Sequence, residues 1–227
     1  LELANAIADD MADYIWRVRE DFAGGSFPMP DEAVDRTVEA IQNGAVPVVL
    51  GDYSDRPGDA TWILRELIAK DVGKVLYAAL RDEKALSTLK LANAQAGDAF
   101  DMEVGGYTGE QAGSPVRVRG KVKYFGEGWG YDDIAIIEFG KSSLLFIVPT
   151  YTQIRTLEPL RIAGIEPDDY DVFVVKSRVH FRRGFDETGY AKTIIVVDAP
   201  GPWFGTTRLD ALQYKHAPID GLYPFGM

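Results

Sequence analysis

Asp171-Val-Phe-Val-Val-Lys-Ser-Arg-Val-His-Phe-Arg-Arg-Gly-Phe185 passes without a break from four apolar residues into Lys176, Ser177, Arg178, His180, Arg182 and Arg183. An apolar run bounded this sharply reads as a strand buried on both faces, the kind found in parallel sheets. The cations then fall at its C-terminal end, where open α/β sheets bind their ligands. Val46-Pro-Val-Val-Leu50 repeats the pattern with the opposite charge, running into Gly51-Asp-Tyr-Ser-Asp-Arg-Pro-Gly-Asp-Ala-Thr61. A helix is expected after that loop, from about Ala60 to Lys70. Strand, polar loop and helix in this order place the chain among α/β folds.

Working outward, Val75–Ala79 reads as the next strand and Glu83–Ala94 as the next helix. The middle of the chain changes character. Met102–Tyr107, Val116–Phe125, Ile134–Phe139 and Leu144–Val148 read as strands joined by turns, which predicts an antiparallel insert or a second sheet. The alternation returns with a helix near Gln153–Ala163, the strand Asp171–Val175, a helical turn and the strand Thr193–Val197. At the N-terminal side Leu3, Ile7, Met11, Tyr14, Ile15 and Val18 recur at helical spacing. Gly24-Gly25-Ser26 with Pro28 and Pro30 then makes a loop, and Asp31 is expected to cap a second helix ending at Asn43-Gly44. The tail from Pro200 is rich in Pro, Gly and aromatics and is expected to wrap the surface. The expected fold is α/β, a mixed sheet with parallel strand–helix units and an antiparallel hairpin insert. It is expected to form one domain over 1–227, with a helical lead-in (1–43), α/β parts (44–99 and 150–199) and mainly antiparallel strands (100–149). Leu1 already lies inside a helical pattern, so the chain is expected to be cut from a longer polypeptide.

The 227 residues are ample for a core, and 46% hydrophobic with 26% charged is ordinary for a soluble globular protein. A net charge of -11 argues against nucleic acid as a partner, because phosphate binding needs a positive field. With no cysteine there is no disulfide, thiolate nucleophile or thiolate metal site. No apolar run approaches the roughly 18 residues of a membrane span. No signal peptide opens the sequence, and a cytoplasmic protein is expected.

Two stretches could carry chemistry. Asp52, Asp55 and Asp59 could hold a cation or a cationic group. The plainer reading makes Asp55-Arg-Pro-Gly58 a turn and Asp59 the cap of the following helix. Lys176, Ser177, His180, Arg182 and Arg183 would suit a carboxylate or phosphate, with His180 able to act as acid, base or ligand. Against this, the arginines could simply be solvated and His180 structural. Cations at the end of a buried strand are expensive without a partner, so the two loops are expected to face each other across one crevice. Arg117, Arg119, Lys121 and Lys123 alternate with valines and read as the wet face of a half-buried strand. His216 has no acid beside it in sequence. No HExxH, GxSxG or P-loop pattern occurs, and two distant histidines make a self-contained zinc site unlikely on spacing.

Taken together, PVVLGDYSDRPGDAT, IxxAGIEPDDYDVFVVKSRVHFRRGF, the later VVDAPG and Tyr214…Ala217-Pro218-Ile219 resemble the C-terminal domain of the microcystinase C (MlrC) type zinc metallopeptidase family. Trp16…Arg19…Phe22 and the Glu-Ala-Val helix are similar too. The resemblance implies a two-part hydrolase whose zinc ligands lie mainly in an N-terminal domain of the same polypeptide. This half would then contribute to the cleft for a peptide or small amide, without the main zinc site. Substrate contacts are expected at Asp52, Asp55, Lys176, Ser177, His180 and Arg182. Zinc would serve the parent enzyme, no metal is expected on this half alone, and the isolated chain is expected to be inactive. A membrane partner is not expected, and the resemblance leaves room for a homo-oligomer. The alternative is a non-catalytic ligand-binding or assembly domain.

Overall fold

Four apolar strand cores decide the architecture, because each must be covered on both faces. The computed structural model describes residues 1–22, 27–201, 203, 205–208 and 212–216. Its strands are β1 Val48–Asp52, β2 Val75–Arg81, β3 Ala99–Val104, β4 Val116–Gly128, β5 Tyr131–Phe139, β6 Ser143–Val148, β7 Val172–Val175 and β8 Thr193–Val197. They form one mixed sheet in the order β3-β4-β5-β6-β2-β7-β1-β8. The strands from β6 to β8 in that order pair in parallel. From β3 to β6 they form an antiparallel meander. The middle of the chain is therefore an antiparallel extension of the same sheet, not a second one.

Alternation along each central strand divides its side chains between two layers. Val48, Leu50, Val75, Tyr77, Val172 and Val174 pack on one side. That side carries helices α2 (Pro30–Gln42), α3 (Trp62–Ala69) and α4 (Glu83–Leu91). Val49, Leu76, Phe173 and Val175 pack on the other with Ile154, Leu160, Phe181 and Phe185. Parallel strands require crossover connections: β1 reaches β2 through α3, and β7 reaches β8 through α5 (Arg182–Phe185), each passing over one intervening strand. The remaining helix, α1 (Glu2–Arg17), buries none of its residues. Leu3, Ile7, Met11 and Tyr14 stay exposed along it. Among the described residues no helix is long and apolar enough to cross a membrane.

Three local expectations need correction. α2 begins at Pro30, so Met29 takes the cap position and Asp31 lies in the first turn. Proline fixes the φ a first helical residue needs, and this starts the helix before the aspartate. The helix expected over 153–163 is an irregular segment with one 3-10 turn, Glu158–Leu160. Its apolar spacing serves burial instead. Ile154 and Leu160 cover the second face of the sheet, and Trp129 Nε1 donates to the Pro159 carbonyl at 2.7 Å. The third correction concerns Asp59, which caps no helix: α3 starts from Thr61 without a side-chain cap. The loop at Gly24-Gly25-Ser26 and the tail residues Ala217-Pro218-Ile219 lie outside the described residues.

Candidate functional site

Side-chain alternation decides which polar groups meet at the C-terminal edge. Leu50, Val174 and Val75 point to the α3 side, so Asp52, Lys176 and Tyr77, each two residues on, point there too. β7 lies between β1 and β2 in the sheet, which brings the three side chains together. Lys176 Nζ donates to Asp52 Oδ2 at 2.9 Å, to the Ala60 carbonyl at 2.8 Å and to Tyr77 Oη at 3.0 Å. Asp55 Oδ2 lies 2.7 Å from the same nitrogen. Lys176 is completely buried, at 0% exposure. Burial alone would lower its pKa, but the Asp52 and Asp55 carboxylates hold it well above the ordinary value. Burial raises the Asp52 pKa, against the pull of Lys176 and with the help of Asp55. Burial also pushes the Tyr77 phenol up to about 12. The result is one permanent ammonium shared by two carboxylates, where an unpaired charge would cost several kcal/mol.

The carboxylates also fold the loop. Asp52 Oδ1 accepts from the Asp55 N–H at 3.2 Å, while Asp55 accepts from Gly58 at 2.8 Å and Ala60 at 3.0 Å. Asp55 thus makes the expected turn and the ion pair at once. Asp59 instead receives the Tyr107 and Thr108 N–H groups at 2.8 and 2.9 Å, tying the β1–α3 loop to the segment after β3. Asp82 does similar work, capping α4 through Ala85 at 2.8 Å and accepting from Gly105 at 2.9 Å. Gly51 admits a close approach of the two polar loops. A Cβ there would lie 2.9 Å from the Phe181 ring.

Arg178 is a residue whose role the sequence did not disclose. Its guanidinium lies 4.2 Å from the centre of the Tyr53 ring and donates to the carbonyls of Tyr53 at 2.9 Å and Gly205 at 2.6 Å. It fastens the segment around residue 205 onto the β1–α3 loop, where a Cβ on Gly205 would come within 2.4 Å of the Ser54 carbonyl. A cleft of about 320 Å³ opens beside this contact, lined by Ser54, Arg56, Pro57, Gln111, Trp203 and Thr206. Trp203 stacks on Trp62 with ring centres 6.1 Å apart, and Trp62 Nε1 donates to the Gln111 carbonyl at 3.0 Å. The aromatic wall is thus held from behind.

Of the expected site residues, Asp52, Asp55 and Lys176 meet, and β1 and β7 are parallel neighbours as the charge pattern predicts. Ser177 is buried beside them, and its Oγ has no hydrogen-bond partner among the described residues. His180 and Arg182 do not join the cluster. His180 is exposed with Nδ1 at 2.9 Å from Gln153 Oε1, and Arg182 pairs with Asp186 one helical turn on, at 2.5 Å. The chain turns outward after Ser177, so the crevice takes only the first part of the cationic run. Among the described residues no group of three or more His, Asp or Glu side chains could hold a metal ion. Where the two carboxylates converge, the Lys176 ammonium already sits.

The family model described as MlrC C-terminus matches residues 50–216. No curated protein matches the chain. Among solved structures, a crystallised candidate metallopeptidase from Mesorhizobium sp. BNC1 shares the fold with a TM-score of 0.66 at 19% identity. The superposition covers 92% of this chain and 46% of that one, so this chain spans just under half the length of that protein.

Proposed function

The chain belongs to the MlrC C-terminus family, and from that premise we propose that it forms one wall of the substrate cleft in a zinc-dependent peptidase or amidohydrolase. In this reading residues 1–227 act as one domain. The zinc ligands belong to an N-terminal domain of the same polypeptide, and the substrate is a peptide or small amide. The observation that carries the proposal is the buried lysine held by two carboxylates. Such a group is an expensive way to stabilise a fold, yet here it fixes the geometry of two loops at the ligand-binding edge of a parallel sheet. Asp52, Asp55 and Lys176 therefore position the wall, Ser177 lies buried beside them, and His180 and Arg182 form its rim. Arg56 and Trp203 offer the groups that touch substrate in the adjoining cleft. Arg56 has no acidic partner among the described residues, in a protein with 35 acids against 24 bases. The described residues do not fit a zinc ion.

The test is the polypeptide that carries both parts, assayed for amide hydrolysis with Arg56→Ala. The variant is expected to raise KM about tenfold or more, the loss of one charge-assisted hydrogen bond, at an unchanged melting temperature. Unaltered KM and kcat would remove the cleft from the proposal.

A further inference from the structure

Tyr151, Gln153 and His180 form a chain of hydrogen bonds whose polarity admits one solution. It starts at the Lys176 carbonyl, which can only accept. Tyr151 Oη donates to it at 3.0 Å. With that proton used, the phenol oxygen must accept from Gln153, so the amide atom 2.8 Å away is the donor Nε2. The amide is thereby oriented, and its Oε1 faces His180 Nδ1 at 2.9 Å. An amide oxygen only accepts. The proton of the neutral imidazole therefore sits on Nδ1, and the lone pair is left on Nε2.

This Nε2 has no partner among the described residues, and the ring is exposed on the loop that follows β7. We propose that His180 Nε2 is a proton acceptor for an O–H or N–H donor bound at this edge, either water or a substrate amine, with Gln153 and Tyr151 as its positioning residues. The donor's proton moves to Nε2, leaving its electron pair on the donor oxygen or nitrogen and giving an imidazolium protonated on both nitrogens. Gln153 Oε1 accepts from Nδ1 before and after the transfer, so nothing in the relay must reorganise. The backbone carbonyl that anchors the relay belongs to the lysine locked by Asp52 and Asp55, which ties the ring's position to the buried cluster. The ligand side of this inference rests on the reading of this edge as a cleft wall. The tautomer is a property of the chain itself.

The experiment is a 15N correlation spectrum of the imidazole rings, taken above the ring titration. With two histidines in the sequence, His216→Gln assigns both. His180 is expected to show mainly protonated Nδ1 and bare Nε2, and Gln153→Leu to shift the majority to protonated Nε2. A protonated Nε2 in the parent, or a spectrum indifferent to Gln153→Leu, would overturn the inference while leaving the proposed function standing. In the longer polypeptide, His180→Gln is expected to lower kcat about a hundredfold, the lower range for a general base, and to abolish the acidic limb of the pH profile. A retained limb and kcat beside the expected tautomer would overturn the acceptor role. The Arg56→Ala assay reports on the cleft separately.

Discussion

Lys176 shows what a single buried charge demands of its neighbours. Replacing it with methionine leaves Asp52 and Asp55 buried without a cation, which costs about 3–5 kcal/mol, measured by urea denaturation at neutral pH. Adding Asp52→Asn and Asp55→Asn to Lys176→Met is expected to recover part of that loss, because the uncompensated charges go. The pH dependence follows from the raised Lys176 pKa. The ammonium's contribution is complete below about pH 10.4, the unfolded value, and is lost as the pH climbs through the higher folded one. Asp52 acts in the same direction in a lower pH window. Its folded pKa is raised by burial, so its ionisation takes away stability as the pH rises above about 4. The Lys176–Asp52 meeting was legible in the sequence: two strands ending in opposite charges, each charge in phase with the strand's own alternation. The role of Arg178 was not. Its partners are carbonyls and a ring face, and backbone acceptors leave no trace in residue identity. The cost of a buried cation, which brings Lys176 to the aspartates, does not reach His180 and Arg182, because the chain turns outward after Ser177 and leaves both side chains in contact with solvent.

At the scale of elements, strands were easier to read than helix ends. The parallel strands announce themselves as unbroken apolar runs because both faces are covered, and β8 occupies Thr193–Val197 as expected. The segment over 153–163 misled because apolar residues at helical spacing also suit an irregular strap laid across a sheet face. Pro159 within it and Gly164 just after it are the signals that weigh against a helix. Asp82 and Asp59 make a matched contrast. Both precede a helix, yet only Asp82 caps one, and it also accepts from Gly105 in the loop after β3. Asp82→Ala therefore removes two hydrogen bonds from buried backbone donors. An exposed cap is worth about 1 kcal/mol; here roughly 2–4 kcal/mol is expected, since each orphaned donor adds its own desolvation penalty. Thermal melts of Asp82→Ala beside Asp82→Asn check it. Asparagine keeps one acceptor oxygen where Asp82 uses both, Oδ1 for Ala85 and Oδ2 for Gly105, so it should recover only part of the loss. Equal losses in the two variants would mean that the retained bond contributes nothing.

For the whole molecule, the proposed reading raises the question of which part of a metal-dependent hydrolysis a chain of this composition could supply. A zinc site needs three or four ligands converging with open geometry. Here there is no cysteine, and the two histidines lie on separate loops. Asp52, Asp55, Asp59 and Asp82 are all spent on the lysine or on backbone N–H groups. To take up a metal, the Asp52–Asp55 pair would have to expel an ammonium that makes four close contacts, and the loop between them would lose its anchor. The net charge of -11 would still gather divalent cations loosely around the surface. Loose and tight binding separate on dialysis. The chain alone, equilibrated with zinc and dialysed, is therefore expected to retain well under one ion per molecule by elemental analysis. On the proposed reading it should hydrolyse no amide on its own, whereas a longer polypeptide with the proposed N-terminal domain should hold zinc and hydrolyse the amide. One tightly held zinc that disappears with Asp52→Asn or His180→Gln would move the metal centre into this domain and overturn the division of labour.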